Sequence, residues 1–201
     1  MTKPLILAFD TAAAHCAAAI VCGDNVIASA VEPMAKGQAE RLLVLAQELL
    51  AQSGLRMGQL GAIGVGVGPG NFTGIRIAVS AARGLGLGLG IPAVGVNAFD
   101  ALHLGAQGPC LCTVDARRDM VFAQGFHTEH LPAPVLIPLA ELPENLPVIG
   151  AFGIAPKHSV AEAIARIAAT RLTEHQQPPA PLYLRAADAA PARDTPPQII
   201  P

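Results

Sequence analysis

The sequence predicts an α/β protein of two small lobes, and three observations carry that prediction. Short apolar runs near the amino end, residues 5–10, 16–22 and 25–32, have strand length and are separated by residues 11–15 and by the Gly23-Asp24 turn. Helix-length stretches with apolar residues three and four apart then alternate with further strand-length runs. Apolar residues make up 52% of the 201 positions against 14% charged, enough to fill a genuine core. Aromatics are only 3% and Trp is absent, so that core must be built from Ala, Val, Leu and Ile, small side chains that favour close helix packing.

The first three strands follow one another closely, which predicts an antiparallel meander. Residues 38–53 then read as a helix. Its apolar members, Ala39, Leu42, Leu43, Leu45, Ala46, Leu49, Leu50 and Ala51, cover more than one core-facing stripe, and Gly54 suits its C-terminal end. Residues 62–67 alternate glycine with β-branched side chains and predict a buried strand with close backbone neighbours. After the loop from Gly68 to Phe72, Thr73 is the expected N-cap of a helix running to about Gly84, apolar nearly all round except for Arg76, Ser80 and Arg83. Residues 93–96, after Pro92, predict the next strand. Periodicity alone specifies only α/β, but the order βββαβαβ is that of an RNase H-like lobe, half of the actin-like (ASKHA) architecture.

The second half carries weaker signals. Residues 110–114 and 120–127 predict a hairpin around Ala116-Arg117-Arg118-Asp119. Residues 131–147 contain five prolines and are expected to be mostly loop or a short turn of helix. Residues 148–151 read as a strand, and 159–172 as an amphipathic helix capped by Ser159 with Glu162 at its third position. Beyond Pro178 the chain is rich in Pro and Ala, with order expected around Leu182 to Arg185. The expected division is therefore an RNase H-like lobe with partner-binding helices over residues 1–98 and a smaller, diverged lobe with a Pro/Ala-rich tail over residues 99–201.

Charge and cysteine usage exclude several classes. Net charge is -2, and the 13 basic residues form no stripe of the kind a primary nucleic-acid binder uses. The apolar run at residues 5–10 is too short for a secretory signal, and residues 58–91 are broken by Pro69, Asn71, Arg76, Arg83 and eleven glycines, so a cytoplasmic chain without a membrane span is expected. Cys16, Cys22, Cys110 and Cys112 lack zinc-knuckle or redox-pair spacing, which predicts buried free thiols. The six histidines occupy unlike settings and assemble no Ser-His-Asp or Cys-His arrangement.

Two stretches together point to a family: Leu7-Ala8-Phe9-Asp10-Thr11-Ala12, and Gly66-Val67-Gly68-Pro69-Gly70-Asn71-Phe72-Thr73-Gly74-Ile75-Arg76-Ile77 sixty residues later. Asp115-Ala116-Arg117-Arg118 and Pro181-Leu182-Tyr183-Leu184-Arg185 add to the match. The chain resembles the TsaB (YeaZ) family over most of its length, most strongly over residues 5–118.

That resemblance implies a non-catalytic subunit that pairs with a catalytic paralogue, TsaD, and an ATPase, TsaE. Their complex transfers threonylcarbamoyl from its adenylate to N6 of the tRNA adenosine beside the anticodon. The paralogue carries a metal-binding Asn-His-x-x-x-His where this chain has Asn97-Ala98-Phe99-Asp100-Ala101-Leu102. Ala98 and Leu102 offer no donor for iron or zinc, and His103 stands one residue, roughly 100°, beyond the required position. No metal site and no catalytic residue are therefore expected, and a glycoprotease reading fails on the same chemistry.

Asp10 ends the first strand, where actin-like kinases hold Mg²⁺ or water near phosphate, but the plainer reading is a carboxylate capping its own turn. Gly68, Gly70, Thr73 and Gly74, at a helix N-terminus, form a weak candidate nucleotide contact with Asp10. The loop lacks the Lys-Ser/Thr of a Walker A motif, and its glycines equally suit close backbone approach and positive φ. The chain alone is expected to bind no cofactor, with ATP or ADP at the partner interface left open.

The expected interface centres on Ala39, Leu42, Leu43, Ala46 and Leu50 of the first helix with Arg76, Val79 and Arg83 of the second, while Leu45 and Leu49 are assigned to the lobe's own core. Expected partners are the TsaD-like paralogue and the TsaE-like ATPase, with a homodimer open to the isolated chain and tRNA reached only indirectly. Arg117, Arg118 and Arg185 are the residues placed to make secondary tRNA contacts. The alternative class is a small-molecule kinase or ATPase of the actin-like fold, for which residues 148–153 offer only a faint second phosphate loop.

Overall fold

The computed structural model describes residues 3–172 and 177–185. Two sheets carry the molecule. In the first, β1 (Leu5–Asp10), β2 (His15–Cys22), β3 (Asn25–Pro33), β4 (Ala62–Gly66) and β5 (Ala93–Val96) stand in the order β3-β2-β1-β4-β5. β1, β2 and β3 pair antiparallel, whereas β1, β4 and β5 run parallel. This is the RNase H-like lobe expected from the sequence.

Alternation along β1 splits its side chains between two cores. Leu7 and Phe9 face α1 (Gln38–Gln52) and α2 (Phe72–Leu89), while Ile6 and Ala8 face α4 (Val160–Thr170) on the opposite side. A strand buried on both faces must read as one continuous apolar run, as Leu5 to Phe9 does. Small residues set the spacing of the layers. A Cβ on Gly64 would meet Ala8, Ile164 and Ala168 at 3.0–3.2 Å, so glycine there lets α4 approach closely.

The second sheet contains β6 (Cys110–Asp115), β7 (Met120–Phe126), β8 (Val135–Pro138) and β9 (Val148–Gly150) in the order β8-β7-β6-β9. Its antiparallel pairs and single parallel pair reproduce the β3-β2-β1-β4 part of the first sheet. The second lobe is thus a topological copy of the first, shortened by one strand. Its core is small, built from Phe99, Cys110, Cys112, Ala116, Phe122 and Ile149. The two sheets fall on either side of residue 98, but α4 returns from the second half to pack on the first sheet.

Several elements differ from the sequence expectation. β8 lies where five prolines suggested mostly loop. Val135, Leu136 and Ile137 sit between Pro134 and Pro138 on the sheet's edge, and an edge strand tolerates residues without an N–H. α2 begins one residue before Thr73, capped by the Asn71 side chain, which accepts from the Gly74 N–H at 2.9 Å. It continues past Gly84 to Leu89, because Gly86 packs against Ile91 and Ala93, and it ends at Gly90 with φ 66°. In α4, Ser159 caps as expected, but Glu162 turns to His158 and Arg166 at 2.9 Å instead of closing a capping box. Among the described residues no helix is long and apolar enough to cross a membrane.

Candidate functional site

β1 delivers Asp10, Thr11 and Ala12 to the point where α2 begins, and the loop after β4 closes on them. The Thr11 hydroxyl donates to the Gly74 carbonyl at 2.6 Å, and the Asn71 N–H donates to the Ala12 carbonyl at 2.6 Å. A Cβ on Gly70 would collide with the Ala12 carbonyl oxygen, and one on Gly74 with that of Thr11. Gly68 is buried with φ 92°, a conformation that favours glycine. Of the residues weighed for nucleotide, Gly68, Gly70 and Gly74 therefore serve close packing and turn geometry. Thr73 is exposed at the mouth of the adjoining cleft.

Asp10 is 4% exposed and its carboxylate is already engaged. It accepts from the Ala12 N–H at 3.0 Å and meets His15 Nε2 at 2.7 Å. The other oxygen lies against Gly66, where any Cβ would collide with it. The turn-capping role is the one the geometry supports, and Asp10 does not line the cleft.

The residues expected at an interface divide into three groups. Leu42, Ala46, Leu50 and Val79 are at most 4% exposed and belong to the first lobe's core together with Leu45 and Leu49, so the split between inner and outer faces must be corrected. Leu42, Leu45, Ala46, Leu49 and Leu50 follow the i, i+3, i+4, i+7, i+8 pattern of one buried stripe, a signal present in the sequence. Ala39 and Leu43 do face outward, and Val44 joins them. Arg76 and Arg83 are tied to the chain's own residues 177–185: Arg76 Nε donates to the Tyr183 hydroxyl at 2.9 Å, and Arg83 Nε to the Pro179 carbonyl at 2.8 Å. Phe72 stacks on Tyr183 at 4.9 Å and Arg76 caps the Phe72 ring at 3.9 Å. Leu87, 88% exposed on α2, lies beyond the end at about Gly84 that the sequence suggests for this helix.

α3 (Ala98–His103) follows β5 directly. The Asn97 side chain caps it by accepting from the Asp100 N–H at 2.8 Å. His103 stacks on Phe126 at 4.1 Å, and its Nε2 is buried with no hydrogen-bond partner among the described residues. Burial, with His127 beside it, pushes its pKa down. No group of three or more metal-ligating side chains occurs among the described residues. Burial raises the Cys16 thiol to about 11 and pushes up Cys110 and Cys112 as well, the behaviour of structural thiols.

Between the two sheets lies a cleft of about 1020 Å³. The first lobe contributes Ala12, the start of α1 and the start of α2; the second contributes the β6–β7 hairpin. Residues 182–185 cross from one lobe to the other, Leu182 packing on the first core and Leu184 on the second.

Two RNase H-like sheets flanking an interlobe cleft define an α/β protein of the actin-like class. A family model described as TsaD, tRNA N6-adenosine threonylcarbamoyltransferase, matches residues 26–130, and the chain belongs to that family. Its fold is that of YeaZ from Pseudomonas aeruginosa, with a TM-score of 0.73 and 24% identity over 90% of this chain and 100% of that one. A crystal structure of a Pseudomonas aeruginosa protein described as similar to the peptidase YEAZ gives a TM-score of 0.75, with 23% identity and the same coverage. No curated protein matches the chain.

Proposed function

We propose that this chain is the non-catalytic, TsaB-type member of its family. It binds the catalytic paralogue TsaD and, with the ATPase TsaE, supports transfer of threonylcarbamoyl to N6 of the tRNA adenosine next to the anticodon. The observation that carries this reading is α3, where Ala98 and Leu102 stand one turn apart in place of two imidazoles. A divalent iron or zinc site needs nitrogen, sulfur or oxygen donors, and a methyl and an isobutyl group supply none. Asp10, held by its own turn and by His15, is likewise unavailable as a phosphate-site carboxylate.

The surface assigned to the paralogue is the outer face of α1 and α2, which lie side by side on one face of the first sheet. Leu43 and Val44, 41% and 44% exposed, and Leu87 supply its apolar contacts. Reconstitution from purified components tests the role. Alone, this chain is expected to transfer no threonylcarbamoyl and to cleave no glycoprotein, and transfer should require the paralogue, the ATPase and this chain together. Equal transfer by paralogue and ATPase without it would refute the assignment.

A further inference from the structure

α2 carries two guanidinium groups on its outer face and no acid anywhere along its 18 residues. Phe72, Arg76, Ser80, Arg83 and Leu87 follow one another at spacings of three and four, so they form one exposed stripe, apolar at both ends and cationic between. Seven positions separate the two arginines, about 10.5 Å along the helix axis. Both are held from the same segment of chain. The Tyr183 hydroxyl accepts from Arg76 Nε at 2.9 Å, and the Pro179 carbonyl accepts from Arg83 Nε at 2.8 Å. That segment is itself anchored. The Leu182 N–H donates to the Val67 carbonyl at 2.8 Å, Leu182 packs on the first core, Leu184 packs on the second, and the Tyr183 ring stacks on Phe72.

Each guanidinium thus uses only its Nε within the chain. The terminal amino groups of both have no hydrogen-bond or ion-pair partner among the described residues, whereas Arg41 pairs with Glu32 and Glu48, Arg166 with Glu162, and Arg171 with Asp100. Two terminal amino groups can receive both oxygens of one carboxylate, and a side chain already held at Nε loses less freedom in doing so. Two cations flanked by Phe72 and Leu87 suit a protein surface better than RNA, whose binders neutralise about 6–10 phosphates. Gly84 and Gly88 are exposed on the same helix, and a Cβ on either would meet nothing within 4 Å. No contact among the described residues requires glycine there, and the missing side chains leave room for a partner helix.

We infer that residues 179–185 act as a clasp that sets Arg76 and Arg83 for two carboxylates on one helix of the paralogue. Acids seven residues apart on a helix lying along α2 have the same spacing as the two arginines. The inference rests on the proposed supporting role and adds to it the chemistry of the partner's surface. Arg76 and Arg83 recognise the acids, while the Tyr183 hydroxyl and the Pro179 carbonyl are positioning groups.

Titration calorimetry of the paralogue with the full chain, repeated over a range of salt concentrations, tests the inference, and thermal melting establishes that each variant is folded. Arg76→Gln/Arg83→Gln should bind about tenfold or more weakly at low salt and lose most of the parent's salt dependence. Tyr183→Phe keeps the ring on Phe72 and removes the acceptor. It should bind about three- to tenfold more weakly with the salt dependence intact. Arg166→Gln removes a cation from α4, on the opposite face of the sheet, and should change neither quantity. Arg76→Glu/Arg83→Glu should not bind the paralogue, and a paralogue variant with two acids seven residues apart on one helix replaced by lysine should bind it again. Parent-like affinity and salt dependence in the folded double Gln variant overturn the inference. So does parent-like binding by Tyr183→Phe, failure of every such lysine pair to restore binding, or a double Gln variant that loses tRNA affinity while keeping that for the paralogue. If the double Gln variant is unchanged while Leu43→Glu weakens binding, this inference fails and the supporting role stands; no binding by the parent removes both.

Discussion

At Gly74 an added Cβ would collide with the Thr11 carbonyl oxygen, whereas at Gly84, on the same helix, it would meet nothing within 4 Å. The two glycines therefore serve opposite ends. Gly74→Ala should cost about 2 kcal/mol or more through overpacking of backbone on backbone. Gly84→Ala should stabilise the isolated chain by about 0.5–1 kcal/mol, the usual gain of alanine inside a helix. Denaturant melts of the two variants check both signs. His103 gives a pH-dependent prediction. Burial and the neighbouring His127 hold its folded pKa below the ordinary 6.5, so the unfolded chain takes up the proton first and stability is lost as pH falls below that value. His103→Phe keeps a ring against Phe126 and removes the unpartnered nitrogen. It should therefore melt higher than the parent, with the difference widening from pH 7 to pH 5; a constant difference would show that His103 is not the group responsible.

Among the elements, β1 to β5 and α1 were legible because each had one dominant signal. β1 and β4 are continuous apolar runs of strand length, and α1 carries repeated leucines at helical spacing. The faces of α1 were harder to read because Ala39, Leu43 and Val44 add apolar residues outside the stripe through Leu42, Leu45, Ala46, Leu49 and Leu50 that packs into the core. Length failed at α2, where Gly84 does not end the helix and Gly86 fits it under the entry to β5. β8 was hidden by flanking prolines that an edge position accommodates. Of the candidate site, Asp10 could be read as a turn cap from the Asp-Thr-Ala sequence. The cleft could not be assembled in advance, because Ala12, the starts of α1 and α2 and the β6–β7 hairpin come to one cavity only through the packing of two lobes, with residues 182–185 lying across both.

The whole molecule divides labour between its faces. One side of the first sheet is closed by α4, the other by α1 and α2, whose outer surfaces carry Leu43, Val44 and Leu87 into solvent. The central claim is that this outer surface receives the catalytic paralogue, and Leu42 and Leu43, adjacent in sequence, test it from opposite faces. Leu42 is 1% exposed, and a buried glutamate in its place should cost about 3–5 kcal/mol and unfold or nearly unfold the chain. Leu43 is 41% exposed, and Leu43→Glu should leave stability within about 0.5 kcal/mol of the parent. The decisive measurement is calorimetric titration of the TsaD-type paralogue with the parent chain and with Leu43→Glu. The parent should bind, and the folded variant should bind about a hundredfold more weakly, because association would strand an unpaired carboxylate in an apolar contact. Binding of Leu43→Glu as tight as that of the parent, or no binding by the parent at all, would contradict the account.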